Sequence, residues 1–167
     1  MKKYLPYVFP SLAILIVIFL VFRWYSLNTK QTGEISKFAE GVEIENLSQT
    51  QAQETLNGAG DYKTEDLKSF DETSSGQLRY EVADGKVKFS VYANLPELKS
   101  GEYQVWLRDL NGKTSRKAFV LEDGKGGFMG SAAISSEVLP FEVVVSRENT
   151  TDNEIEEIIL TGILDKE

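Results

Sequence analysis

The chain has no cysteine and no histidine among its 167 residues. Without cysteine it cannot carry the lipid of a lipoprotein, and the redox compartment is left open. Without histidine there can be no Ser-His-Asp triad, no Cys-His pair and no histidine-bearing zinc site. Basic residues are also few, 18 against 26 acidic, for a formal net charge of −8. Such a field repels phosphate backbones and anionic head groups, which argues against nucleic acid as a partner.

Long apolar runs are scarce as well, with one exception. "YLPYVFPSLAILIVIFLVF", Tyr4 to Phe22, carries no charge. Crossing a bilayer core takes roughly 20 apolar residues, so the run is long enough. Lys2 and Lys3 precede it, and Arg23, Trp24 and Tyr25 follow as a cationic and aromatic interface anchor. A cleaved signal peptide would have a shorter apolar stretch and a small-x-small cleavage pattern, which "RWYSLNTKQ" lacks. The reading is an uncleaved signal anchor over residues 4–25, with residues 1–3 as a cytoplasmic tip. Removing Lys2, Lys3 and Arg23 leaves 15 basic against 26 acidic residues, net −11 for the rest. The expected topology is a single pass, amino terminus cytoplasmic and carboxy-terminal domain extracytoplasmic.

Residues 26–62 read as a polar spacer. "SQTQAQETLNG" could form a short helix, with Ser48 as N-cap, Gln51 completing a capping box and Gly58 at the end. Its apolar side holds only Ala52 and Leu56, so it has little face to bury.

From residue 63 to 167 the texture changes to short apolar runs between turn signals. Asp84-Gly85 is a two-residue hairpin signal. Closing that turn sets Val82 opposite Val87, Tyr80 opposite Phe89 and Leu78 opposite Val91. All six then share one face, with Arg79, Glu81, Lys88 and Ser90 on the other. Asn111-Gly112 predicts a second hairpin, pairing Val105 with Ala118, Tyr103 with Val120 and Gln104 with Phe119, Trp106 one diagonal step away. Both faces of this pair carry apolar weight, as in a strand at the middle of a sheet. Glu122 to Gly127 turns the chain, and Phe128–Ile134, Phe141–Glu148 and Glu156–Leu164 complete seven strands from Leu78, with Leu67–Phe70 as an eighth. Strands apolar on both faces need two packed sheets. The expected fold is all-β, an immunoglobulin-like antiparallel β-sandwich of about seven or eight strands behind one transmembrane helix.

"NLPELKSGEYQVWLRDLNGK", "FVLEDGKGG", "FEVVVSREN" and the terminal "ILTGIL" resemble the C-terminal extracytoplasmic domain of the anti-sigma-K factors. The matching pattern is Leu95-Pro96, a polar spacer Glu97–Glu102, and Tyr103, Gln104 and Trp106; the similarity covers roughly Phe70 to Leu164. The resemblance implies the fold, membrane attachment and sidedness. It does not extend to the family's cytoplasmic sigma-gripping domain, since only Met1 to Lys3 stand before the apolar run, nor to the family's proline-glycine-rich final hairpin, replaced here by "NTTDNEIEE".

Local patterns that tempt a chemical reading have simpler explanations. "DLNG", Asp109–Gly112, lacks the glycine at position six and glutamate at twelve of a calcium loop. "GKGG", Gly124–Gly127, lacks the Gly-Lys-Ser/Thr of a phosphate loop. Glu65, Asp66, Asp71 and Glu72 could pair as acid and base or hold a cation, but in so acidic a domain they read as a solvated rim. Gln104, Trp106 and Arg108 form the candidate binding face, because a tryptophan beside polar donors suits a sugar or peptide. Central packing of the ring under a loop is the favoured alternative. No catalytic residue, cofactor, metal ligand or small-molecule substrate is expected. The expected function is non-catalytic: a sensor or protein-interaction domain, in envelope signalling or sigma-factor regulation through a membrane or envelope protein partner. The alternative is an envelope module that binds glycan or surface polymer.

Overall fold

The computed structural model describes residues 17–21, 23, 43–47, 61–124 and 126–165. Most of the apolar run at 4–25 and the whole of the short helix expected at 48–58 lie outside these residues. The chain divides into two compact units, Met1–Lys37 and Phe38–Glu167. In the first, residues 17–21 and 23 are helical. Among the described residues no helix is long and apolar enough to cross a membrane.

The second unit is antiparallel β. Its strands are β1 (Glu45–Asn46), β2 (Lys63–Ser69), β3 (Ser75–Ala83), β4 (Lys86–Asn94), β5 (Glu102–Arg108), β6 (Ser115–Val120), β7 (Glu122–Gly124), β8 (Gly127–Ser135), β9 (Phe141–Glu148) and β10 (Glu157–Leu164). A 3-10 turn, Ser136–Val138, leads from β8 toward β9. The hydrogen-bonded order is β1-β8-β4-β3-β2-β10-β9-β5-β6, with β7 paired to β8 off this path. The seven strands expected from Leu78 onward, and the eighth before it, are all present. β1 and β7 are additional, at 2 and 3 residues. Strands so short carry no alternation by which a sequence pattern could reveal them.

The path is continuous because two residue pairs, Leu160 with Ser69 and Thr161 with Lys68, join β10 to β2. A register shift between Ile158 and Leu160 sets Ile159 out of the β9–β10 ladder. The Ile159 carbonyl accepts the Phe70 N–H at 3.0 Å, beside the Leu160–Ser69 pair. At the other end the sheet nearly closes where β6 approaches β8. That approach depends on Gly130, since a Cβ there would lie 2.5 Å from Phe119 Cδ2. The lack of a side chain at Gly130 in β8 is therefore what admits the Phe119 ring.

One apolar core fills the interior. Leu78, Val87, Phe89, Val91, Val105, Leu107, Phe141, Val143, Val145, Leu160 and Leu164 belong to it and are fully buried. Phe89 meets Phe119 at 5.7 Å and Phe141 at 6.3 Å between ring centroids, and Tyr103 meets Phe128 edge-on at 4.9 Å. Such pairs contribute about 0.5–1.5 kcal/mol beyond the area they bury.

The β3–β4 hairpin has the predicted register, including Val82–Val87, Tyr80–Phe89 and Leu78–Val91. Val82 alone of the six apolar residues stays exposed, beside the turn. The β5–β6 hairpin departs from prediction. Trp106–Lys117, Leu107–Arg116 and Arg108–Ser115 follow the predicted register, but a bulge between Val105 and Trp106 shifts it by one. Beyond the bulge Gln104 faces Val120 and Val105 faces Phe119, leaving Ala118 as the extra residue. The shift turns Phe119 onto the core face, which explains its ring contact with Phe89.

Candidate functional site

β5 lies between β9 and β6, so both its edges are paired. Tyr103, Val105 and Leu107 point into the core, and Gln104 and Trp106 are buried on the opposite face. Trp106 is 1% exposed. Its indole N–H donates to Ser146 Oγ at 2.8 Å, and Lys117 Nζ sits 5.3 Å from the ring centroid. The Ser146 hydroxyl in turn donates to the Glu148 carboxylate. Glu148 is 2% exposed and also accepts the Glu156 N–H at 3.3 Å. The indole, hydroxyl and carboxylate thus form a chain that meets the requirement for partners around a buried polar group.

Gln104 serves the bulge. A register shift leaves backbone carbonyls out of the ladder. Gln104 Nε2 donates to the Val105 and Phe119 carbonyls, each at 2.8 Å. Arg108 Nε donates to Glu142 Oε2 at 2.8 Å across β5 and β9, in an ion pair about one-fifth exposed. Alternation places Gln104, Trp106 and Arg108 on one face, and Gln104 Nε2, Trp106 Nε1 and Arg108 Nε are each bonded within the fold. Tyr103 completes the block. Its hydroxyl donates to the Pro96 carbonyl at 2.9 Å, and burial pushes the phenol pKa above its ordinary value, partly offset by Arg147.

The four carboxylates on and after β2 do not converge. Glu65 accepts the Tyr80 hydroxyl at 3.3 Å, and Asp66 accepts Gln77 Nε2 at 3.0 Å. Asp71 organises its own loop, accepting the Thr73 N–H at 2.8 Å, the Ser74 N–H at 2.6 Å and the Ser74 hydroxyl at 2.8 Å. The Ser74 hydroxyl, ahead of the backbone donors, holds the Asp71 carboxyl below its ordinary value. Glu72 is exposed. Among the described residues no group of three or more His, Cys, Asp or Glu side chains is arranged to hold a metal ion. Asp109 closes its hairpin by accepting the Lys113 and Thr114 N–H groups at 2.8 and 3.2 Å, and Gly124–Gly127 closes the β7–β8 pair.

Two features escaped the sequence reading. The first is the loop joining β9 to β10, where Glu156 accepts the Asn149 N–H and Nδ2 at 3.0 Å, the Thr150 N–H at 2.8 Å and the Thr150 hydroxyl at 2.5 Å. These donors, led by the Thr150 hydroxyl, lower the Glu156 pKa to about 2. "NTTDNE" signals a turn, but not which carboxylate closes it. The second is an open groove of about 400 Å³ over β2, β3 and β4, lined by Asp66, Ser69, Ser74, Ser75, Gln77 and Tyr92, among others. Its residues come from three strands, so no local motif marks them. A second depression, about 360 Å³, lies between Asp61, Lys63, Tyr80, Glu81, Val82 and Asp165.

Compared with known proteins, the chain matches no family model, no curated protein and no solved structure.

Proposed function

We propose that this protein is a membrane-anchored, non-catalytic extracytoplasmic domain of the anti-sigma-K C-terminal type, acting as a sensor or interaction module through a protein partner. The observation that carries the reading is how the Leu95-Pro96 and Tyr103-Gln104-Val105-Trp106 block is used. Leu95 is buried, the Pro96 carbonyl receives the Tyr103 hydroxyl, Gln104 caps the bulge and Trp106 anchors to Ser146. A block whose polar atoms hold the fold together is what a shared structural signature requires. The two arms of the path, β1-β8-β4-β3-β2 and β10-β9-β5-β6, meet through rings such as Phe89 and Phe141, which supports an immunoglobulin-like sandwich joined along one edge.

Anchoring has its own support. Helical residues Val17, Ile18, Phe19, Leu20 and Val21 are between 56% and 63% exposed. Five adjacent apolar side chains open on a helix suit a lipid surrounding better than water. The expected behaviour is retention in membranes after alkaline carbonate, and digestion of the β domain when protease is added to intact cells. In-cell crosslinking from the β domain should then trap a membrane protein that bears a cytoplasmic sigma-binding domain. Release by carbonate would remove the anchor, and an unchanged sigma-dependent transcript profile on deleting the protein would remove the regulatory role.

A further inference from the structure

We propose that the groove over β2, β3 and β4 binds a neutral oligosaccharide, one pyranose ring stacking on Tyr92 while Asp66, Gln77 and Ser75 hold its hydroxyls. The strand register builds this site. Asp66 pairs with Gln77, and Gln77 pairs with Tyr92, so the three side chains form a row on one face. Neighbouring strands lie about 4.8 Å apart, which makes the row about 10 Å long. Leu67, Gly76 and Ala93, the next residues along, face the core side instead.

The row has the functional groups a sugar needs. Asp66 Oδ1 is bonded to Gln77 Nε2 at 3.0 Å. That leaves the other carboxylate oxygen, the amide carbonyl and the second amide hydrogen for a ligand; Asp66, Gln77 and Ser75 are all exposed. Acceptors beside a donor suit vicinal hydroxyls, which both donate and accept. Tyr92 supplies the apolar wall. Its hydroxyl donates to the Gly126 carbonyl, which tethers the ring from its far end. Gly126 and Gly127 leave room there, as a Cβ at either would come within 3.2 or 3.3 Å of that hydroxyl. A ring already held costs little entropy when a ligand stacks on it.

Charge selects among sugars. The residues lining the groove include a carboxylate but no lysine or arginine, on a chain of net charge −8. Acidic or phosphorylated polymers are repelled by that field. The site is separate from the Trp106 block, and the proposal stands without the anchoring or regulatory reading.

The test is calorimetric titration of the full chain, in a detergent without a sugar head group, with chitotetraose, cellotetraose and maltotetraose. Polygalacturonate is the anionic comparison. Saturable binding of at least one neutral tetrasaccharide is expected, with polygalacturonate at least tenfold weaker. Gln77→Ala and Tyr92→Ala should each weaken binding at least tenfold, while Lys113→Ala in the Asp109–Thr114 loop leaves it unchanged. Gln77 is exposed, so Gln77→Ala decides the matter if Tyr92→Ala loses its thermal transition. No saturable binding to any of the three, equal binding of polygalacturonate, or an unchanged affinity in Gln77→Ala would overturn the proposal. Both variants keep the apolar run and the Trp106 block, so membrane retention and partner crosslinking report separately.

Discussion

The β3–β4 and β5–β6 hairpins begin from similar signals, Asp84-Gly85 and Asn111-Gly112, and end in different structures. At the first, Asp84 and Gly85 both take positive φ, 53° and 73°, as a tight two-residue turn demands. Nine residue pairs then run from the turn without a shift. At the second only Gly112 has positive φ, 69°. Asp109 takes over the turn by capping Lys113 and Thr114, and its own N–H donates to the Thr114 carbonyl at 3.0 Å. The loop widens around the same midpoint, so the first three pairs keep the predicted register until the bulge. A turn dipeptide therefore locates the centre of a hairpin, while neighbouring side chains decide its width.

The largest test of this comparison is Trp106→Ala, which strikes the bulged hairpin. Truncating a buried tryptophan costs about 3–5 kcal/mol, out of roughly 5–15 kcal/mol for a whole domain. Losing the indole also strips Ser146 of a donor. A urea titration should show a large share of the stability gone; a midpoint equal to wild type would mean that the ring carries no share of the fold.

Gln104→Ala sharpens the contrast more gently. It removes the amide that serves the Val105 and Phe119 carbonyls, and unsatisfied buried groups cost about 1–3 kcal/mol. On the regular hairpin the outward residue Lys88 has no such duty, so Lys88→Ala should stay within about 0.5 kcal/mol of wild type. Equal losses in the two variants would show that the bulge needs no side-chain support.

The turn of β3–β4 is tested by Gly85→Asn against Gly85→Val. Nothing lies within 4 Å of a Cβ placed at Gly85, so crowding is absent and only its positive φ matters. Left-handed backbone costs an ordinary L-residue about 1–2 kcal/mol, asparagine less and a β-branched residue more. Thermal melts should rank glycine, asparagine, then valine; identical melts for the two variants would remove the tight-turn account.

The smallest effect is on acid stability. Glu156 titrates at about 2 in the folded chain against an ordinary 4.5. A depressed folded value means that its contribution is full above about pH 4.5 and is lost as pH falls toward 2. Glu156→Gln should therefore flatten the stability profile in that window and leave it parallel to wild type above pH 5. A profile unchanged below pH 4.5 would show that the Asn149 and Thr150 donors do not favour the charged carboxylate.

Much of the fold was legible where local rules act alone. Alternation at Leu78, Tyr80, Val87, Phe89 and Val91 announced a face to bury, and the positive-φ turn between them made one register possible. The double-sided burial of β5 was legible too, because Tyr103 and Trp106 fall on opposite faces. β1 and β7 were not, being too short for any period. The role of Ser146 was hidden as well, since a buried hydrogen bond to Trp106 across 40 residues leaves no trace in spacing, and that of Gln104 because it serves a bulge the turn signal does not announce.

Composition by itself excluded histidine and cysteine chemistry, and hydrophobic period by itself made the carboxy-terminal unit an antiparallel β structure. Both are one-dimensional properties, set by which residues are present and how they alternate. Tertiary structure alone decided that Ala118 is spare, that Phe119 turns inward over Gly130, and that Asp66 joins Gln77 and Tyr92 in a row. Each of these depends on which strands become neighbours. Neighbours are chosen by the cheapest joint burial of the whole core, a sum over distant residues that no single stretch of sequence contains.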